Sequence, residues 1–351
     1  MTRPRLLCLP PRSLHVDRLD RVAAVIRHPG GDAPSLDLDW IDRQRGRVDV
    51  VHAHLGGRSA ADTPLGAVLE GFRRDGVAVV ATVHDVDLAE PGAADALGAV
   101  VDLAHQVVTH TRGAADELAE RIGTRPLVIP HGPVLSGAAL HRARRQRATT
   151  PSGRHLLCHV GRLGDQLDWR TAIRAAVRAR ARLRVLVHES RQARLRQWSV
   201  DTEVLDIRPY DALRTPEVVD ELVRCRALVL PYRRVTHSSL LELAADVGVP
   251  VLAPPVGVLA DQHPVATIPL GGDGLDVAAL EAMLANPPDH RRLVSSAQDR
   301  ERVQQAFEVG HARLYESVVT RVGLPRIELR LPDAPAPPRR AAHRVRTLEV
   351  R

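Results

Sequence analysis

Thr236-His237-Ser238-Ser239 opens an amphipathic segment that stops at Gly248, between the apolar runs 227–230 and 251–253. That pattern is strand, helix, strand. The turn sets hydroxyls and backbone N–H groups at a helix N-terminus just past a strand's carboxyl end, where an anion such as phosphate is stabilised. A plain helix cap uses the same residue types. Two more polar sets end apolar runs: His84-Asp85 after 77–83, and His52-Ala53-His54 after 48–51. The carboxyl ends of parallel strands are the usual edge for ligand contacts. His52 and His54, two residues apart, share one strand face, so both can equally be structural.

The elements that must position these residues alternate regularly. Strands are expected at 5–9, 48–53, 77–83, 106–109 and 127–129, with helices at 16–27, from Thr63-Pro64 to Gly76, and at 93–105 and 113–121. The loop after the first strand, with Pro10-Pro11, has no phosphate-binding glycine fingerprint, so a dinucleotide is not expected. Pro130-His131-Gly132-Pro133 breaks the pattern as a hinge. A second alternation follows, with strands at 155–160, 183–187, 204–207, 227–230 and 251–253 and helices at 169–180, 216–224, 240–247, 276–285, 289–304 and 309–322. The fold class expected is α/β: two Rossmann-like lobes facing across a cleft. The division is 1–135, an Arg-rich surface linker at 136–154 with no apolar period, 155–323, and a disordered Pro/Arg-rich tail at 324–351. A cleft between facing strand ends is the default place for a small-molecule site.

Composition removes several classes. At 351 residues and 44% hydrophobic content, each of two lobes can bury a core. All 49 basic residues are Arg, so a Walker P-loop, a Schiff-base enzyme and a kinase, which need Lys, are out. The net charge of +7 is concentrated in 136–154, with five Arg and no acid, and in 324–351, with seven Arg against three acids. With two Phe and three Tyr there are few stacking platforms, and nucleic acid is not expected as a partner. Contact of the Arg-rich segments with an anionic membrane surface stays open. Cys8, Cys158 and Cys225 stand singly in apolar stretches and read as buried thiols. They show neither zinc-finger nor redox spacing, and neither metal nor cofactor is expected. No apolar run approaches the ~20 residues of a membrane span, and the N-terminus lacks a signal h-region. The expected location is cytoplasmic, with peripheral contact at the inner membrane face left open.

Six short motifs, in order and spacing, resemble the retaining GT-B glycosyltransferases of the large group 1, or family 4-like, family that includes bacterial mannosyltransferases and sucrose-phosphate synthase. They are Asp49-Val50-Val51-His52-Ala53-His54, Val80-Ala81-Thr82-Val83-His84-Asp85, Val108-Thr109-His110-Thr111, Val128-Ile129-Pro130-His131-Gly132, Val160-Gly161-Arg162-Leu163 and Leu230-Pro231-Tyr232-Arg233-Arg234. The resemblance covers roughly 48–322. It implies metal-independent transfer of a sugar, a hexose by family habit, from a nucleoside-diphosphate donor on the second lobe to an acceptor, glycan, lipid or small molecule, on the first. Arg162, Thr236, Ser238, Ser239 and Glu242 would then bind the donor. His84 would act beside the transferring sugar, with His54 and Asp85 on the acceptor side. An Arg and a helix N-terminus aimed at the leaving diphosphate would stabilise the charge it gains.

The chain departs from the family in three places. A Glu pair eight residues apart is replaced by Val235 and Leu243, although Glu242 is adjacent. The usual Lys is Leu167, with Arg170 one helical turn along, and Leu186-Val187-His188-Glu189 stands where a glycine normally ends a strand. These losses keep a second reading open, a non-catalytic GT-B-like partner or regulator of a related enzyme, and behind it an epimerase-like relative.

Overall fold

The computed structural model describes residues 3–323 except 11–13, 29–36, 57–64, 85–92, 151–154, 162, 199–202, 212–213, 273 and 287–292. The first sheet comprises β1 (Arg5–Leu9), β2 (Ala24–Ile26), β3 (Val50–Leu55), β4 (Ala78–Val83), β5 (Gln106–Thr109) and β6 (Leu127–Val128). Its strands are all parallel, in the order β2-β1-β3-β4-β5-β6. Helices α1 (Leu14–Leu19), α2 (Leu38–Asp42), α3 (Leu65–Arg74), α4 (Ala93–Leu103) and α5 (Arg112–Ile122) connect them. Every residue of β3 and β4 is buried, as parallel strands covered on both faces require.

After α6 (Gly137–Thr149) the second sheet holds β7 (Leu156–Gly161), β8 (Leu183–His188), β9 (Leu205–Tyr210), β10 (Leu228–Val229), β11 (Val251–Ala253) and β12 (Ala266–Thr267). These strands too are parallel, in the order β12-β11-β10-β7-β8-β9. Between them lie α7 (Trp169–Arg178), α8 (Gln192–Trp198), α9 (Thr215–Arg224), α10 (Ser239–Val247) and α11 (Leu259–Gln262). A hairpin of β13 (Leu270–Gly271) and β14 (Gly274–Leu275) leads to α12 (Val277–Ala285) and α13 (Ala297–Gly323). Strand order reverses between β1 and β3 and again between β7 and β10, and crevices for ligands form at such switch points.

Three expectations change. Residues 16–27 do not form one helix: α1 stops at Leu19, and Ala24–Ile26 pairs with β1 as an edge strand, which suits the β-branched Val25 and Ile26. Most of the Arg-rich segment is helical. It forms α6, with Leu140 and Ala143 buried, and its Arg residues close other helices. Arg144 donates to the carbonyls of Ala245, Asp246 and Ser295, and Arg147 to those of Leu222, Val223, Cys225 and Gly248. The last two expected helices include one continuous element, α13, with Phe307 buried where a break between 304 and 309 was expected. Its Phe307, Leu314, Tyr315 and Val318 pack on Leu6, Cys8, Val50 and Val80 of the first sheet, so the end of the second half of the chain closes the first lobe. The tail, 324–351, lies outside the described residues.

The junction is tied by polar contacts. Asp246 in α10 accepts from the backbone N–H groups of Val134 and Leu135 at 2.6 and 2.9 Å. Arg18 donates to the carbonyls of His131 and Pro133 and lies over the Phe307 ring. Among the described residues no helix is long and apolar enough to cross a membrane.

Candidate active site between the two sheets

Consecutive strands of the first sheet deliver imidazoles to one edge: His52 and His54 on β3, His84 after β4, His110 after β5 and His131 after β6. The rings of His54, His84 and His110 form a hydrogen-bonded row. His54 Nδ1 is 3.0 Å from His84 Nε2, His84 Nδ1 is 2.9 Å from His110 Nε2, and His110 Nδ1 is 3.0 Å from the carbonyl oxygen of Ile129. His52 stacks on His54 and spans Tyr315 Oη at 2.8 Å and Thr82 Oγ1 at 2.7 Å. Burial, reinforced by the neighbouring imidazoles, pushes His52, His54, His84, His110 and His131 well below the ordinary histidine range, so the row is neutral at physiological pH. From the second lobe His237 meets this edge, its ring 5.0 Å from that of His110 and 4.5 Å from that of His131.

The strand-end edge of the second sheet has a different character. A pocket of about 200 Å³ opens at the carboxyl ends of β7 and β8 against the first turn of α10, lined by His159, Leu186, Ser239, Leu240 and Leu243 among others. Ser238 caps α10, its Oγ accepting from Leu241 N–H and lying 3.1 Å from Tyr232 Oη. Gln262 Oε1 takes the Ser238 N–H at 3.0 Å. The N–H groups of Ser239 and Leu240 have no acceptor among the described residues, so they carry the positive end of the α10 dipole beside the pocket. His159 Nε2 is 2.6 Å from Tyr210 Oη, and burial lowers its pKa to about 4.

Behind this pocket lies a buried ionic cluster. Glu242 Oε2 accepts from Arg300 at 2.6 Å and lies 2.8 Å from His263 Nε2, itself 2.8 Å from Arg300 Nη1, while Glu242 Oε1 accepts from Gln262 at 3.0 Å. Arg300 Nε donates to Asp246 Oδ1 at 2.7 Å. Burial pushes the Glu242 carboxyl upward, but His237, His263 and Arg300 outweigh it and hold the group well below the usual carboxylate range. His131, His237 and Glu242 bring ligand-type atoms within 4.8 Å of one another. Both carboxylate oxygens of Glu242 already accept hydrogen bonds, from Gln262 and from Arg300.

The sequence matches no protein-family model and no curated protein, so the comparison rests on shape. AviGT4, a glycosyltransferase involved in avilamycin A biosynthesis, superposes with a TM-score of 0.55 at 16% identity over 88% of each chain. Sucrose-phosphate synthase of Thermosynechococcus elongatus gives 0.61 at 16%, over 85% of this chain and 84% of its own. HepE of Anabaena, in complex with UDP and glucose, gives 0.57 at 13%, over 91% and 100%. The chain has the GT-B fold.

Within that fold the expected site residues separate. His54 and His84 are hydrogen-bonded to each other. Ser238 and Ser239 stand at the α10 terminus, Ser238 as its cap and Ser239 lining the pocket, while Thr236 is buried in the turn before it. Glu242, expected on the donor, is turned inward and spent on Arg300 and His263, because it falls on the buried side of α10. Arg162 and Asp85 lie outside the described residues. Leu167, at the family's Lys position, bridges backbone to Tyr232 and packs on the core, and Arg170 stacks over Trp169. The sequence reading missed His110, His131 and His237 as one site. The available signal was a histidine at or just beyond the end of four successive strands.

Proposed function

We propose that this chain is a glycosyltransferase that moves a sugar from a nucleoside-diphosphate donor held by the second sheet to an acceptor held by the first. The observation that carries the reading is the pairing of edges. The Ser239 and Leu240 N–H groups stand at the α10 N-terminus beside the pocket, and His237, just before that terminus, packs its ring on those of His110 and His131 at the edge of a neutral imidazole row that can hydrogen-bond hydroxyls. As the bond from the anomeric carbon to the diphosphate oxygen breaks, the leaving group gains negative charge, and the α10 dipole with the Ser239 and Leu240 N–H groups stabilises it there. Arg162, nominated by sequence, would add a charge-assisted hydrogen bond. The acceptor hydroxyl approaches from the His84 side, and Asp85 and His54 belong to that subsite. A retaining outcome and independence from metal follow the family resemblance. Residues 1–135 would form the acceptor lobe and 155–323 the bulk of the donor lobe.

The direct experiment incubates the purified chain, with EDTA, with a panel of UDP-, GDP-, ADP- and dTDP-hexoses and mixed lipid and sugar acceptors, and follows release of the nucleoside diphosphate. Turnover of one donor that persists in EDTA supports the reading; turnover that requires Mg²⁺ or Mn²⁺ removes the metal-independent part. A second reading, a GT-B-like partner or regulator without catalysis, is favoured by one observation: both ring nitrogens of His84 are engaged by other imidazoles. Nucleotide binding without turnover of any donor would select it.

A further inference from the structure

The row of imidazoles has one fixed end. The carbonyl oxygen of Ile129 only accepts, so His110 Nδ1, 3.0 Å away, must carry the proton. A neutral His110 then has a bare Nε2, and His84 Nδ1, 2.9 Å from it, must be the donor. By the same step His84 Nε2 is bare and accepts from His54 Nδ1–H at 3.0 Å. Burial keeps all three rings neutral, which is the condition for this one-way order. We infer that His110 is a positioning residue that, anchored on the Ile129 carbonyl, locks His84 in its Nδ1–H tautomer, so that Nε2 of His84 is the hydrogen-bond acceptor at the cleft edge, with the His54 Nδ1–H as its resident donor. The arrangement resembles in logic a carbonyl or carboxylate that orients a working imidazole through its far nitrogen. A substrate hydroxyl reaches His84 by exchanging with His54, and because Nε2 carries a lone pair it accepts the hydroxyl proton's hydrogen bond and does not give one. This last consequence rests on the glycosyl-transfer reading; the tautomer order does not.

Selective ¹⁵N labelling of histidine in the full-length chain, with assignment by His54, His84 and His110 variants, reads the tautomers directly. At pH 7 the inference expects a pyrrole-type Nδ1 and a pyridine-type Nε2 for His84, and the same for His110. In His110→Phe the His84 signals should exchange character, Nε2 becoming pyrrole-type as the ring turns its proton toward His54. His110→Gln, whose amide can donate to Ile129 while its carbonyl accepts from His84, should restore the parent pattern. An Nε2–H or doubly protonated His84 in the parent overturns the inference, as does an unchanged His84 in His110→Phe. Should the Phe variant fail to fold, the parent and Gln spectra decide alone, a Gln variant with the exchanged pattern counting against it. Absence of donor turnover would leave these spectra untouched, so the two proposals fail separately.

Discussion

The two sheets share a topology and differ in what they bring to the cleft. The first ends in neutral imidazoles hydrogen-bonded to one another. The second ends in a helix dipole over an apolar pocket, backed by Arg300 between Glu242 and Asp246. Strand order alone therefore does not set the chemistry of a switch point; the residues just beyond the strand ends do. A neutral, polarisable edge is suited to hydroxyls, and a fixed positive edge is suited to an anion.

The sharpest way to break this contrast is to remove the ionic support. Arg300→Met leaves two buried carboxylates without their cation, and urea unfolding should show a loss of about 3–5 kcal/mol. A loss below 1 kcal/mol would mean the cluster is solvated and the contrast is wrong. Acid comes next. His159 on β7 and the buried His311 on α13, both lowered to about 4 by burial, take up protons in the unfolded chain near 6.5 and in the folded chain only near 4. Their stabilising contribution is complete above about 6.5 and is lost as pH falls toward 4, at up to ~1.4 kcal/mol per pH unit for each group. The buried row shifts in the same direction, so urea midpoints should decline steadily from pH 7 to 5, and a flat profile would contradict neutral burial. The smallest effect belongs to the imidazole side. His52→Phe leaves the Tyr315 and Thr82 hydroxyls without their partner and should lower stability by about 1–3 kcal/mol, less than Arg300→Met by the same measurement.

Much of the scaffold was legible because it is local. The run 77–83 contains a buried parallel strand, and Ser238 and Gly248 mark α10, the glycine with φ at 83° as its left-handed cap. What escaped was carried by distant contacts. Helix α6 shows almost no apolar period, since its Arg144 and Arg147 act by reaching carbonyls at the ends of other helices. Glu242 is nominated by its place next to the family's Glu position, whereas its ion pair is made with Arg300, nearly sixty residues later. The histidine row was visible as separate strand endings, but its order depends on β3, β4 and β5 being neighbours in register.

The central claim is that the first turn of α10 holds the donor's diphosphate through backbone N–H groups, and Ser239 allows it to be tested with the helix intact. Proline is favoured at the first helical position, and Ser238 already has the extended backbone that precedes it, φ −128° and ψ 113°. Ser239→Pro deletes one N–H, whereas Ser239→Ala deletes only the hydroxyl. Calorimetric titration with UDP, GDP, ADP and dTDP should find a nucleoside diphosphate that binds the parent and Ser239→Ala about equally. Ser239→Pro should bind it roughly ten- to a hundredfold more weakly, as loss of a hydrogen bond to a charged group of about 1.5–3 kcal/mol requires, at an unchanged melting temperature. Equal binding by the proline variant, or no binding of any of the four to the parent, would contradict the account.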